Sequence, residues 1–219
     1  MSYSDEQLRG ASKSYADRGF WGVKVKVGAD LEDAIRRVQV VREAVGPGVR
    51  MMIDANQGYD LRSARDLADR LADEKLAWFE EPLRVDLTED YASLTARSPI
   101  PIAAGENTYT RYGFRDLLAH RAVDIIQPDV HRVGGVTEFM RIAALAESLD
   151  IPVAPHTSWE IHSQLLTCVT TGLAVEYYDW FPDEVWETRP YIDGGMVRAS
   201  QEPGLGARLS LSALQRFSP

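Results

Sequence analysis

Three acids, Asp54, Glu80 and Glu106, follow one another at equal intervals of 26 residues in a chain of 219. Asp129, His156 and Glu176 continue the series at intervals of 23, 27 and 20. Each of these residues lies at or near the C-terminal end of a short apolar or β-branched run. Upstream, FWGVKVKV at 20–27 places Lys24 and Lys26 one valine apart, and residues i and i+2 of an extended chain share a face. Taken singly, each has a bland explanation: an acid past a strand caps the next helix, and a Lys-x-Lys protects an edge strand. Six polar residues in register, one per repeat, fit a shared cavity better.

The chemistry of that cavity follows from the residue types. Three carboxylates without cysteine or clustered histidine are a hard, all-oxygen donor set suited to Mg²⁺, with Mn²⁺ able to substitute and zinc disfavoured. Two lysines side by side, close to such a cation, are expected to depress each other's pKa so that one can accept a proton. Asp129 and His156, from adjacent strands, form a second acid/base in which the carboxylate orients the imidazole. No Gly-x-Ser-x-Gly elbow accompanies the pair, so it reads as proton-transfer machinery rather than part of a serine hydrolase.

The elements that must position these groups are legible as a repeat. Predicted strands lie at 22–27, 49–55, 76–80, 100–104, 123–127, 151–155 and 173–178. Helix-period segments such as DLEDAIRRVQVVREAVG, DLRSARDLADRLADE, RYGFRDLLAHR and GVTEFMRIAALAESLD separate them, several opened by Asp or Thr suited to capping. Apolar strands alternating with amphipathic helices imply an α/β fold with a parallel sheet covered by helices. The even spacing favours a closed TIM-type (β/α) barrel, whose C-terminal strand ends share one mouth. No Gly-rich phosphate fingerprint follows a strand.

Composition is that of a single globular domain, 1–219, with 45% hydrophobic and 26% charged residues. A net charge of −9 offers no general attraction to nucleic acid or anionic membrane, so an anionic substrate must meet local cations or a metal. No apolar run reaches membrane-span length, and MSYSDEQLRG lacks a signal pattern, which makes the expected address cytoplasmic. The one cysteine, Cys168 in LLTCVTTGL, is expected to be packed and inert.

KVK at 24–26, DAN at 54–56, FEEP at 79–82, GEN at 105–107, QPDVHRVGG at 127–135 and PHTS at 155–158 together resemble the barrel domain of the enolase superfamily, mandelate racemase subgroup. The resemblance implies Asp54, Glu80 and Glu106 as metal ligands, Lys26 as one base with Lys24 as its pKa-lowering neighbour, and His156 with Asp129 as the other. It further implies Glu176 as a hydrogen-bond partner of a substrate carboxylate, and Asn56 and Asn107 as groups that orient ligands or substrate. Glu81 is expected to point away by strand parity, as a structural residue. The implied reaction is abstraction of the proton α to a carboxylate, giving an enediolate. Its outcome is dehydration of an acid sugar to a 2-keto-3-deoxy acid or, alternatively, racemisation or epimerisation of a 2-hydroxy acid.

Two features depart from that family: nothing matches its N-terminal capping domain, and the lysine-bearing strand, second in the family, comes first here. The chain is therefore expected to be truncated at its N-terminus and to begin in the helix YSDEQLRGASKSYADRG. Exposed strand edges would then favour homo-oligomers, and a non-catalytic remnant or interaction module is the competing reading. PYIDGGMVRASQEPGLG at 190–206 is expected to form a hairpin about its Asp-Gly-Gly turn.

Overall fold

The computed structural model describes residues 3–217. Helix α1 (Asp5–Asp17) opens on a capping box formed by Ser4 and Gln7. Then β and α alternate: β1 (Gly22–Lys26), α2 (Leu31–Val45), β2 (Arg50–Asp54), α3 (Leu61–Arg70), β3 (Trp78–Glu80), α4 (Thr88–Thr95), β4 (Ile102–Ala104), α5 (Thr110–Ala119) and β5 (Ile125–Ile126). After them come the short α6 (Val130–Val133), α7 (Val136–Glu147) and α8 (Trp159–Leu166). Asp30 and Asp60 cap α2 and α3 as their sequences suggest, each accepting from the backbone N–H three residues on.

The strands pair in parallel and in chain order, β1 to β5. Single parallel bridges, Ile126 to Val153 and Val153 to Gly172, add two further staves. The expected sixth and seventh strands are thus present as staves but not as regular ladders. Pro152 and Pro155 flank Val153, and a residue without an N–H cannot extend a ladder on either side of it. The row curls on itself, because Lys24 of β1 forms an ion pair with Glu176, four residues past the last bridge. Among the described residues no backbone ladder joins those two staves. Aromatic side chains fill the seam instead, with the Phe20 and Tyr177 ring centroids 5.1 Å apart and those of Tyr15 and Phe20 5.3 Å apart.

Strand alternation divides the apolar residues into two layers. Outward-facing Val23, Val25, Met51, Ile53, Phe79 and Ile102 join the helices in the main core. Inside the barrel, Met52, Trp78, Ala103, Ile125 and Ala154 form a separate plug. Polar residues lie above that plug, so the packing that closes the barrel floor also sets the depth of the site.

Past Tyr178 the chain leaves the barrel. β6 (Trp186–Thr188) pairs antiparallel with β9 (Arg208–Leu209), and β7 (Tyr191–Asp193) with β8 (Met196–Arg198), followed by α9 (Leu211–Phe217). The β7–β8 hairpin turns on Gly194 and Gly195 as expected, both at positive φ. A Cβ on Gly195 would lie 1.9 Å from the Gly19 carbonyl oxygen, so only glycine lets the hairpin rest against the start of the barrel. Cys168 departs from expectation. α8 ends at Leu166 and the chain turns, which leaves Cys168 exposed and buries Val169 in its place. No helix among the described residues is long and apolar enough to cross a membrane.

Candidate active site

Register builds the first row of the site. Lys26 pairs with Asp54 and Asp54 with Glu80 across β1, β2 and β3, so parity turns all three inward at one level. Glu106 reaches that level by a different route. It lies three residues beyond Ala103, the partner of Glu80, and Gly105 between them adopts φ +149°, which redirects the chain. A Cβ there would lie 2.8 Å from the Gln127 nitrogen and 2.9 Å from Phe114, so the turn that delivers Glu106 requires glycine.

One oxygen from each of Asp54, Glu80 and Glu106 lies within 4.8 Å of the others, and all three residues are buried. Two lysines answer their charge. Lys24 Nζ sits 2.5 Å from Glu80 Oε1 and 3.6 Å from Asp54 Oδ2, and also pairs with Glu176. Lys26 pairs with Asp54 and donates to Asn56 Oδ1 at 2.8 Å. On the opposite side, His156 Nδ1 lies 2.9 Å from Asp129 Oδ2 and its Nε2 lies 3.0 Å from Glu106 Oε2. Lys26 therefore abuts one end of the acid cluster and His156 the other. Glu176 accepts from the Thr157 N–H at 2.8 Å and from the Tyr178 hydroxyl at 3.0 Å.

Further residues fix the acids, and the motifs alone did not single them out. Trp78 Nε1 and Gln127 Nε2 both donate to Glu80 Oε2, at 3.1 and 2.6 Å. Arg132 donates to Asn107 Oδ1 at 2.7 Å and approaches Glu106 and Asp129. Parity held the signal for Trp78, Gln127 and Tyr178, each two residues from a group already in the series. Asn107 turns its side chain toward the acids, donating to Glu106 Oε1 at 3.2 Å and to Glu81 Oε2 at 2.8 Å. Glu81 lies outside the three-acid cluster, fully buried, and burial together with the charge of Glu106 pushes its carboxyl up to about 7. Strained backbone gathers at this mouth: Asn56, Gln57, Glu81, Thr157 and Ser158 all take positive φ just past their strands.

One electrostatic expectation is reversed. Burial alone would lower the Lys24 pKa, but the carboxylates of Glu80, Glu176 and Asp54 overrule it and hold the ammonium well above its ordinary value. The mutual depression expected of the lysines is absent at Lys24, because the acids face it directly. Burial opposes the charge on His156 as well, yet the hydrogen bond to Asp129 and the carboxylates of Glu106 and Glu176 close by raise it to about 9. Asp54 stays above its usual value through burial and the charge of Glu80, even with both lysines beside it. Glu106 Oε2 is buried and makes no well-aligned hydrogen bond. The three acids form a buried set of hard oxygen donors, so these residues fit a divalent cation such as Mg²⁺. Such a cation would act on Lys24 and His156 in the opposite direction to the acids.

Residues 7–213 match the family described as enolase C-terminal domain-like. The chain belongs to the enolase superfamily. It is 34% identical over 216 residues to D-galactarolactone cycloisomerase of Agrobacterium fabrum, an alignment covering 91% of this chain and 57% of the relative. The crystal structure of L-talarate dehydratase from Polaromonas sp. JS666 complexed with Mg and L-glucarate superposes with a TM-score of 0.92 at 34% identity, covering 98% of this chain and 60% of that one. A racemase from Streptomyces coelicolor A3(2) with bound magnesium gives a TM-score of 0.93 at 29% identity, covering 99% and 60%. This enolase-superfamily chain thus spans about six-tenths of the length of these three proteins. Its structural neighbours are crystallised with magnesium, and its own Asp54, Glu80 and Glu106 form a cluster that could hold the same ion.

Two predictions follow from this geometry. Titration calorimetry should show Mg²⁺ affinity reduced roughly 10- to 100-fold by Glu106→Gln, which removes a charge, and by Gly105→Ala, which displaces the same side chain; unchanged affinity in both would contradict the cluster. The second concerns buried His162, whose pKa burial lowers from 6.5 to about 4. As pH falls, the unfolded chain takes up that proton first, so His162 contributes stability above pH 6.5 that is lost on the way to pH 4. Denaturant unfolding at pH 7 and pH 4.5 should show the wild type losing about 2–3 kcal/mol more than His162→Gln; equal losses would contradict it.

Proposed function

We propose that this barrel carries out Mg²⁺-dependent abstraction of the proton α to a carboxylate, and that its most favoured outcome is dehydration of an acid sugar to a 2-keto-3-deoxy acid. The observation that carries this reading is the placement of two proton-transfer groups, Lys26 and His156, against opposite ends of one acid cluster. Held by Asp54, Glu80 and Glu106, Mg²⁺ would supply fixed positive charge that acidifies the α-proton.

The chain's own residues do the rest. Lys24, deep in the site and protonated, offers charge to the carboxylate oxygens as they gain electron density. Lys26 is the more open of the two lysines, with 38% of its side chain exposed against 11% for Lys24, and serves as the base on its face. His156, oriented through Nδ1 by Asp129, presents Nε2 to the other face. In dehydration one base takes the α-proton and the His156 imidazolium gives a proton to the β-hydroxyl. Water departs, and the enol so formed tautomerises to the ketone. Asn56 holds Lys26, while Glu176 and Tyr178 form the wall beyond Lys24. The same two-sided arrangement supports the second reading, racemisation or epimerisation of a 2-hydroxy acid, in which the opposite base returns the proton.

Solvent deuterium exchange separates the two faces. With Mg²⁺ and a panel of acid sugars, Lys26→Ala should lose exchange of one α-configuration by about 10²- to 10⁴-fold and keep the other, and His156→Asn should do the reverse. If both variants lose both configurations equally, the two-base arrangement is wrong. Keto-acid formation then distinguishes dehydration from racemisation.

A further inference from the structure

His162 lies in α8 with no exposed surface, and the proposed chemistry does not use it. Its Nε2 accepts from the Val130 N–H at 3.1 Å, and its Nδ1 lies 2.8 Å from the Thr157 carbonyl oxygen. Those two backbone groups belong to the residues immediately after Asp129 and His156. The ring stacks on Phe139 with centroids 5.3 Å apart and planes at 26°, which fixes its plane.

Both partners need what His162 provides. Val130 opens α6, and its N–H has no partner within that turn. The Asp129 side chain makes the usual cap to the next N–H, that of His131, and bonds His156, so the Val130 N–H must find another acceptor. Thr157 and Ser158 sit at φ +51° and +40°, a costly conformation for a β-branched residue, which persists only when neighbours over-determine it. Glu176 grips that turn at the Thr157 N–H, and His162 grips it at the Thr157 carbonyl. Only a neutral ring with its proton on Nδ1 can donate to one backbone group and accept from the other. A second proton would set Nε2–H against the Val130 N–H.

We infer that His162 is a positioning residue for the Asp129–His156 pair, its single ring tying together the two loops that carry the pair. Its depressed pKa agrees with this, since burial keeps it neutral; the titratable groups near it are Asp129, His131 and His156. The inference rests on the proposed role of His156, and its test reads geometry separately from turnover.

In the metal-free protein the His156 Nδ1–H, bonded to Asp129, should give an exchange-protected downfield proton resonance, identified by its absence in His156→Asn. His162→Phe keeps a ring over Phe139 but removes both bonds, and should lose that protection. His162→Gln, with one acceptor and one donor on its amide, should restore it. With Mg²⁺ and substrate, His162→Phe should reduce α-proton exchange on the His156 face at least tenfold while the Lys26 face stays within about twofold. If the phenylalanine variant does not fold, His162→Asn decides. It keeps a donor toward Thr157 but not the acceptor toward Val130, so it should be less protected than His162→Gln, and equal protection would overturn the inference. A folded His162→Phe with wild-type protection, or with equal loss on both faces, would overturn it as well. A wild type that exchanges neither face would count against the proposed function alone, leaving the resonance to decide on His162.

Discussion

Three carboxylates buried within a few ångströms of one another repel, and much of what surrounds them answers that repulsion. Lys24 and Lys26 come from the neighbouring strand, the imidazole of His156 from across the mouth, and the guanidinium of Arg132 from the rim. Trp78 and Gln127 donate hydrogen bonds that hold Glu80 in place. With Asp129 and Glu176 in the same site, five acids face these four cations, and burial together with the charge of Glu80 keeps the Asp54 pKa raised. A site left with unbalanced buried charge costs stability unless a further cation joins it. The arrangement makes physical sense as the housing of a divalent ion.

Backbone geometry turns this into a defined site. The pairing of Lys26 with Asp54 and of Asp54 with Glu80 sets three groups at one level by register alone. Glu106 needs the unusual backbone of Gly105, and His156 is followed by a strained turn at Thr157 and Ser158. Sheet register sets the level of Lys26, Asp54 and Glu80 without a special turn, whereas the residues beside strained backbone gain hydrogen-bonded anchors to hold that backbone. Asn107 serves Glu106 in that way. Glu176 does the same for the turn after His156.

Much of this was readable from the sequence, because it rests on short-range patterns. Short apolar or β-branched runs marked the staves, helical period marked the covering helices, and even spacing pointed to a shared mouth for the acids. What escaped depends on contacts distant in sequence. The reduction of the sixth and seventh strands to single bridges reflects prolines competing with the ladder. The exposure of Cys168 depends on where α8 stops, and element ends are poorly encoded locally. The charge state of Lys24 could not follow from Lys-x-Lys alone, because Glu80 and Glu176, which decide it, come from other strands. His162 resembles any core histidine until its two backbone partners are known.

Diffraction from crystals grown with Mn²⁺ tests the central claim most directly, since the ion's anomalous scattering marks its position without reference to activity. One peak should appear, with an oxygen of each of Asp54, Glu80 and Glu106 in its coordination shell. A peak elsewhere, or an ordered site in which those carboxylates bind only Lys24, Lys26 and His156, would contradict the view that this barrel is built around a metal.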